Sequence, residues 1–542
     1  MTQEYSSKTI EHLGLVSAMY DELGISEIVN QAIKQDLKQR TVNLGQLLKA
    51  MVLNGLGFAQ RRLYLTPHFF SDKPIEQLIG SGIQADHLND DALGKALDAF
   101  FAYGVTELFN LIAISSVQRL KLTPKVVHDD ITSFHVDGNY NANTKQSAVE
   151  EQGLIQITKG YSRDSKPNLN QVALELICEH QAGIPVAMQA LSGNQNDKTA
   201  FENSVSLHVS QLRSIGVKRV IKDSAGYTQK SLIELQKAGQ DWIMRVPNTI
   251  KAVQNWTRKA QRSEFQDLTE GYSYQTRTED YGGIPQRWLL VYSQAGYERE
   301  LVSQTKSLTK LSQIEYQTLT KLSKLEFSCE SDARAALSRV ERKLVFMNVL
   351  EVKIIPVVHY KKAGKPTMNS LSSKAVKLEF LLSSPSHALQ QAAWTGCLFV
   401  LATSELDEQE LSDEDVLVEY KGQARVEGGF RFLKDPMFLA STIFLKKVER
   451  VTALLMVMTV CLLVYAALEF RIRGVLRENA SVIPDQKGKG TSVPTARWVF
   501  ELMSGVHLLF VGGVERALTL NLRVEVRGLL ALLGAEYLGA YP

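Results

Sequence analysis

From Val451 to Leu468 the chain runs for eighteen residues with almost no polarity, bounded by Arg450 and Glu469. A stretch of that length is at the low edge for a membrane span, and it also suits a helix buried on every side inside a large domain. In either case its surroundings must enclose it completely, so the fold has to be built around it. It is the only run of its kind in the chain, and a charged, helix-patterned segment leads straight into it. That neighbour favours a buried core helix over an anchor, with no membrane partner.

The leading segment reads LSDEDVLVEYKGQARVEGGFRFLKDP, residues 411–436. Ser412 is placed to cap a helix, with Asp415 three residues on and acidic side chains in the first turn. Tyr420, Gln423, Glu427 and Lys434 then follow at steps of three, four and seven, which at about 100° per residue puts them on one face. That face is polar and aromatic. It is either a solvated surface with some salt pairing or an active-site helix, on which Glu427 ligates a divalent metal and Lys434 grips a phosphate. Gly428 and Gly429 each cost a helix about 1 kcal/mol relative to Ala. They predict a bend, or a close approach to the backbone, at that point.

Two acidic sites lie upstream. In PKVVHDDITSFHVDGNY, residues 124–140, an apolar start followed by alternation predicts a strand with Asp130 near its middle. A carboxylate there is costly unless it is paired or bound to metal. Asp129 is the runner-up and points to the opposite face; His128 and His135 read as ordinary strand residues. In KRVIKDSAGYT, residues 218–228, a short buried strand ends at Asp223, a usual position for a functional group. Between the two, 154–178 reads as two strands around a turn at Pro167, followed by a strand, GIPVAMQAL, and an amphipathic helix. DWIMRVP supplies a further strand carrying Arg245. Roughly 200 residues separate Asp223 from Glu427, too many for a loop, so an inserted domain is required.

Here the chain resembles the DDE-type insertion-sequence transposases, in the group with a Tyr-x2-Arg-x3-Glu-x6-Lys signature. Tyr420, Glu427 and Lys434 match that spacing, while Gln423 stands where the family has Arg; Arg425 and Arg431 are the nearby alternatives. Flanking residues match the subgroup whose helix reads YKGQ…FRFLKDP. Asp130-x-Thr132-Ser133-Phe134 matches the first-aspartate motif, Asp223-Ser224-Ala225-x-Tyr227 the second, and Arg245 precedes Val-Pro as it often does in the family. The resemblance extends over most of the chain. It implies an α/β ribonuclease H-like catalytic domain with a large insertion, preceded by a helical N-terminal domain. The expected divisions are 1–115 for the N-terminal domain, a candidate for binding DNA ends; 116–247 and 379–480 for the catalytic domain; 248–378 for the insertion; and 481–542 for a tail in packing or dimer contacts.

The implied chemistry is Mg²⁺-dependent cleavage of DNA ends and strand transfer. Asp130, Asp223 and Glu427 would hold two ions, Mn²⁺ substituting, each ion taking oxygen ligands. Tyr420, Gln423, Arg431, Lys434 and Arg245 would contact DNA. The implied partner is double-stranded DNA, both terminal inverted repeats and target, bound by a homodimer in the bacterial cytoplasm at the nucleoid. The alternative is a catalytically decayed or domesticated DNA-binding protein of the same fold, for which Gln423 is the best argument. Net charge is only +3, so any DNA surface must come from local clusters. Lys34, Lys38, Arg40, Arg61 and Arg62 form a modest basic set, and Arg163 and Lys166 could meet a DNA backbone. No GxxxxGK[ST] loop suggests ATP use. The four cysteines form no CxxC pair and fit buried free thiols in a reducing compartment. No charged-then-apolar signal pattern opens the chain.

Overall fold

The computed structural model describes residues 5–36, 41–58, 63–136, 154–161, 166, 168–360, 372–383, 386–435, 445–511 and 517–542. Lys38, Arg40, Arg61, Arg62, Arg163, Pro167 and Pro436 lie outside them. The chain divides into two compact units: Met1–Arg245 with Glu279–Arg287 and Ala402–Pro542, and Val246–Thr278 with Trp288–Leu401.

A short strand, β1 (Tyr5–Thr9), opens the first unit. Helices follow: α1 (Leu13–Glu22), α2 (Ile25–Ala32), α3 (Leu44–Leu56), α4 (Thr66–Phe70), α5 (Ile75–Leu78), α6 (Asp90–Tyr103) and α7 (Val105–Arg119). Local chemistry starts them. Asn43 and Gln46 form a reciprocal cap on α3, and Asn89 caps α6 through the Ala92 N–H at 3.0 Å. Gly104, at φ +108°, joins α6 to α7 in a conformation that side chains resist.

The strands β2 (Val126–His135), β3 (Gln171–Glu179) and β4 (Pro185–Ser192), helix α8 (Asp197–Ser214), strand β5 (Arg219–Lys222), helix α9 (Gln229–Lys237) and strand β6 (Asp241–Val246) come next. They line up as β4-β3-β2-β5-β6. β2 is antiparallel to β3 and parallel to β5, and β5 is parallel to β6. The two strands expected within 154–178 reduce to β3 and one bridge, Thr158 to Gln171. β3 is already paired along both sides, with β2 and β4, so it has no edge left for another strand.

The second unit contains α10 (Lys251–Lys259), β7 (Gln266–Thr269), β8 (Tyr272–Tyr281, whose last residues belong to the first unit), β9 (Ile284–Ser293, whose first residues do too), α11 (Gln294–Lys324), α12 (Glu330–Glu341), β10 (Asn348–Tyr360), β11 (Ser372–Ser383), α13 (Ser386–Cys397) and the start of β12 (Phe399–Thr403). β10 and β11 form a two-stranded ribbon packed by one side on α11 and α12, around Leu319, Leu322, Ala333, Leu337 and Leu378.

The first unit resumes with α14 (Asp413–Lys421), α15 (Ala424–Leu433) and α16 (Val448–Glu478). After these come β13 (Ile483–Pro484), β14 (Gly490–Thr491), α17 (Ala496–Leu502), β15 (His507–Val511), β16 (Leu518–Leu520), α18 (Val524–Leu533) and α19 (Ala535–Gly539). By length and apolarity α16 could cross a membrane. Here every residue of Val451–Leu468 except Tyr465 is buried in protein. The helix packs on α1, α3, α6, α7, α15, α17, α18 and β4. The N-terminal helices and the sheet thus share one hydrophobic cluster, which runs through α16. The final residues close the same core: β15 pairs with β1, and buried Tyr541 donates its hydroxyl to the Glu11 carbonyl at 2.6 Å.

Candidate active site

Side chains alternate across a strand, and on β2 the two acidic residues part accordingly. Asp129 is fully buried on the face covered by α8, and Asp130 is half-buried on the opposite face with His128, Thr132 and Phe134. Asp129 stands opposite Lys222 in the parallel β2–β5 register. One residue further, Asp223 continues extended and therefore lies beside Asp130, at about the 4.8 Å spacing of adjacent strands. Asp223 also starts the next turn: its Oδ1 accepts the Ala225 N–H at 2.8 Å. Asp130 Oδ1 accepts the Ile131 N–H at 2.7 Å.

The third acidic residue arrives on α14–α15. Ser412 caps α14, accepting the Asp415 N–H at 3.1 Å. Arg219 on β5 grips Glu419 with one guanidinium nitrogen at 2.8 and 2.7 Å from the two carboxylate oxygens, and Arg287 pairs with Asp413 at 3.2 Å. Arg425 donates to the Gln181 carbonyl at 2.6 Å, and Arg497 pairs with Asp435. These contacts fix the helix against the sheet. The closest approach is at Gly422, where an added Cβ would lie 2.4 Å from His180 Cε1 and 2.8 Å from His128 Nε2. Those two rings hydrogen-bond at 2.8 Å. Burial first, then His180 and Arg425, lowers His128 to about 3. Of the bend or close approach expected at Gly428 and Gly429, the structure shows the approach: α15 runs through both, and a Cβ at Gly429 would lie 3.1 Å from Leu462 Cδ2. α14 ends at Lys421 and α15 begins at Ala424, and between them Gly422 is the point where only a residue without Cβ fits over the histidines.

The far end is fixed too, with Lys434 Nζ over the Phe134 ring, 5.9 Å from its centroid. Gly422 to Lys434 spans about 18 Å of helix, and His128 to Phe134 about 20 Å of strand, so the two run alongside in one direction. Glu427, about 7.5 Å past Gly422 on this scale, falls level with Asp130. Its neighbours Val426, Phe430 and Leu433 are buried, while Glu427 itself is exposed. Tyr420 lies within electrostatic reach of Asp223 and Glu427. Burial raises its phenol above the ordinary value; Arg245, which hydrogen-bonds it, lowers it, and the nearby carboxylates Asp223 and Glu427 raise it further. Gln423 is half-buried at the junction of the two helices, and Arg431 is exposed in the last turn of α15.

Among the described residues no three His, Cys, Asp or Glu side chains close into a ready-made metal cage. Asp130 and Asp223, on neighbouring stretches of β2 and the chain leaving β5, carry carboxylate oxygens, the donors that Mg²⁺ takes. Residue chemistry had not marked Gly422, Arg219 or Lys222. Lys222 adjoins Asp223 as Asp129 adjoins Asp130, and a charged neighbour before each aspartate is the one local signal that Lys222 left.

A model described as a domain of unknown function (DUF4277) matches residues 5–114. No curated protein matches the chain. Among solved structures, a piggyBac transposase synaptic complex with hairpin DNA aligns with TM-score 0.39 at 10% identity, over 93% of this chain and 82% of that one. A family model described as transposase DDE domain matches residues 130–464, more than half of the chain. That span begins at Asp130, takes in Asp223 and Glu427, and ends within the buried helix, so the chain belongs to the transposase DDE domain family.

Proposed function

We propose that the chain is an insertion-sequence transposase of the Tyr-x2-Arg-x3-Glu-x6-Lys group, cutting its element's ends and joining them to target DNA. Asp130, Asp223 and Glu427 are its metal ligands. The observation that carries this reading is Tyr420, within electrostatic reach of both Asp223 and Glu427, on a helix whose register sets Glu427 level with Asp130. Two Mg²⁺ ions, with Mn²⁺ as substitute, would supply an activated hydroxyl nucleophile and neutralise the charge on the leaving oxygen. The protein's own side chains hold the DNA. Lys434, seated on Phe134, and exposed Arg431 and Arg245 meet phosphates, and Tyr420 and Gln423 face the backbone between them. The substrate is double-stranded DNA carrying the terminal inverted repeats, held by a homodimer.

The test is cleavage of linear DNA bearing the element's ends in Mg²⁺. The parent protein nicks at the repeat boundaries; Asp130→Asn, Asp223→Asn and Glu427→Gln bind the same DNA in a gel shift and do not cut. Normal cutting by Asp130→Asn removes the assignment. One observation favours a second reading, a DNA-binding protein without catalysis. Position 423 lacks the family's Arg, and its neighbour Arg425 is committed to the Gln181 carbonyl. Sequence-selective binding by the parent with no metal-dependent cleavage would establish that reading.

A further inference from the structure

On the face of the sheet opposite Asp130 lies a second set of charges. Lys222 Nζ is 2.6 Å from Asp129 Oδ2, and both side chains are buried, at 1% and 0% exposure. Ser204 of α8 donates to the same oxygen at 3.2 Å. Lys222 also lies 4.8 Å from the centroid of the Phe201 ring, and Nζ is 3.4 Å from the Phe201 carbonyl. Glu175 on β3 faces the pair. Burial, then Asp129, pushes its carboxyl well above the usual range. The stem of Lys222 has a second contact. Gly226 closes the turn that Asp223 starts, and a Cβ there would lie 3.0 Å from Lys222 Cβ and Cδ.

We propose that the Asp129–Lys222 pair is a positioning device for the metal ligands. It joins β2 to β5 one residue before Asp130 and Asp223 and carries the Asp223 turn on the lysine stem. The inference rests on the reading that those aspartates bind divalent metal. Because successive residues of a strand point to opposite faces, fixing 129 against 222 on the buried side fixes 130 against 223 on the other. Stability alone does not account for the pair, since well-packed apolar residues replace a buried ion pair at little or no loss. The pair differs from such residues in setting the strand register at one defined separation.

The experiment titrates Mn²⁺ into the full chain by electron paramagnetic resonance, alongside thermal melting. Asp129→Leu/Lys222→Met replaces the pair with apolar side chains. It is expected to melt near the parent and to bind Mn²⁺ about 10- to 100-fold more weakly, the range for residues that orient metal ligands. Gly226→Ala provides a variant that leaves the pair intact: its methyl displaces the turn by a few tenths of an ångström and is expected to weaken Mn²⁺ several-fold at unchanged melting temperature. Parent-like Mn²⁺ affinity in Gly226→Ala, or in the double variant if it folds, overturns the positioning role when Asp130→Asn does weaken binding. If Asp130→Asn binds Mn²⁺ as the parent does, the metal-site reading falls and the positioning role with it.

Discussion

His208 and His128 are both wholly buried, and burial is the first reason that they titrate at about 4 and about 3, where an ordinary imidazole titrates at 6.5. Their effect on stability has a definite sign. Above 6.5 neither the folded nor the unfolded chain carries the proton, and the contribution is complete. As pH falls below 6.5 the unfolded chain takes up protons that the folded chain refuses, so stability is lost until the folded values are reached. The slope is about 1.4 kcal/mol per pH unit for each imidazole, or about 2 kcal/mol each between pH 6.5 and 5. Urea unfolding at pH 7.5, 6.5 and 5 should therefore show a flat limb and then a fall. His208→Phe should make the fall shallower by one imidazole's share. An unchanged slope in that variant would mean that His208 takes up its proton at the same pH in the folded and unfolded chain.

At the scale of elements, α15 runs alongside β2, and the seat at its start, Gly422, rests on the histidine pair. Gly422→Ala drives a methyl into the hydrogen-bonded rings of His180 and His128. The expected cost is about 1–3 kcal/mol, the ordinary penalty of overpacking. Glu427 should shift away from Asp130, so that cleavage falls further than stability does. Melting and single-turnover cleavage measured together check this; a variant that loses stability but cuts at the parent rate would uncouple the seat from the site. This contact also marks where reading the chain reached its limit. The Ser412–Asp415 cap, the strand around Asp130 and the strand ending before Asp223 are set by neighbours within a few residues, and they stand where local pattern put them. Gly422 answers to His180, more than two hundred residues away, and nothing beside it in the chain records that. The glycines that did look unusual, Gly428 and Gly429, sit in continuous helix. Lys222 becomes a partner of Asp129 only once β2 and β5 lie in register.

At the scale of the whole molecule, the apolar run that constrained the fold from the start also decides what can be removed from it. The helices before residue 120 have no core of their own: Leu15, Leu48, Leu53, Leu97 and Leu108 share one cluster with Leu455, Met458 and Leu462 of α16. Asp98 takes Arg450 in two hydrogen bonds of 2.7 Å at the margin of the same contact, and Gly94 leaves room for that guanidinium. α16 meanwhile reaches α15, which carries Glu427, and β4 of the sheet. A chain beginning at residue 120 would keep all three acidic residues yet expose several turns of leucine, methionine and valine, a contiguous apolar surface far larger than soluble monomers carry. It is expected to aggregate or to bind an apolar dye, with the near-ultraviolet circular dichroism of a packed core lost, and to show no metal-dependent cleavage. A truncated chain that is monomeric and still cuts DNA would show that the N-terminal helices are an addition to a self-sufficient catalytic core. Failure of the truncation while Asp98→Asn stays folded would show that the enclosure of α16, more than any one ion pair at its edge, holds the acidic residues in place.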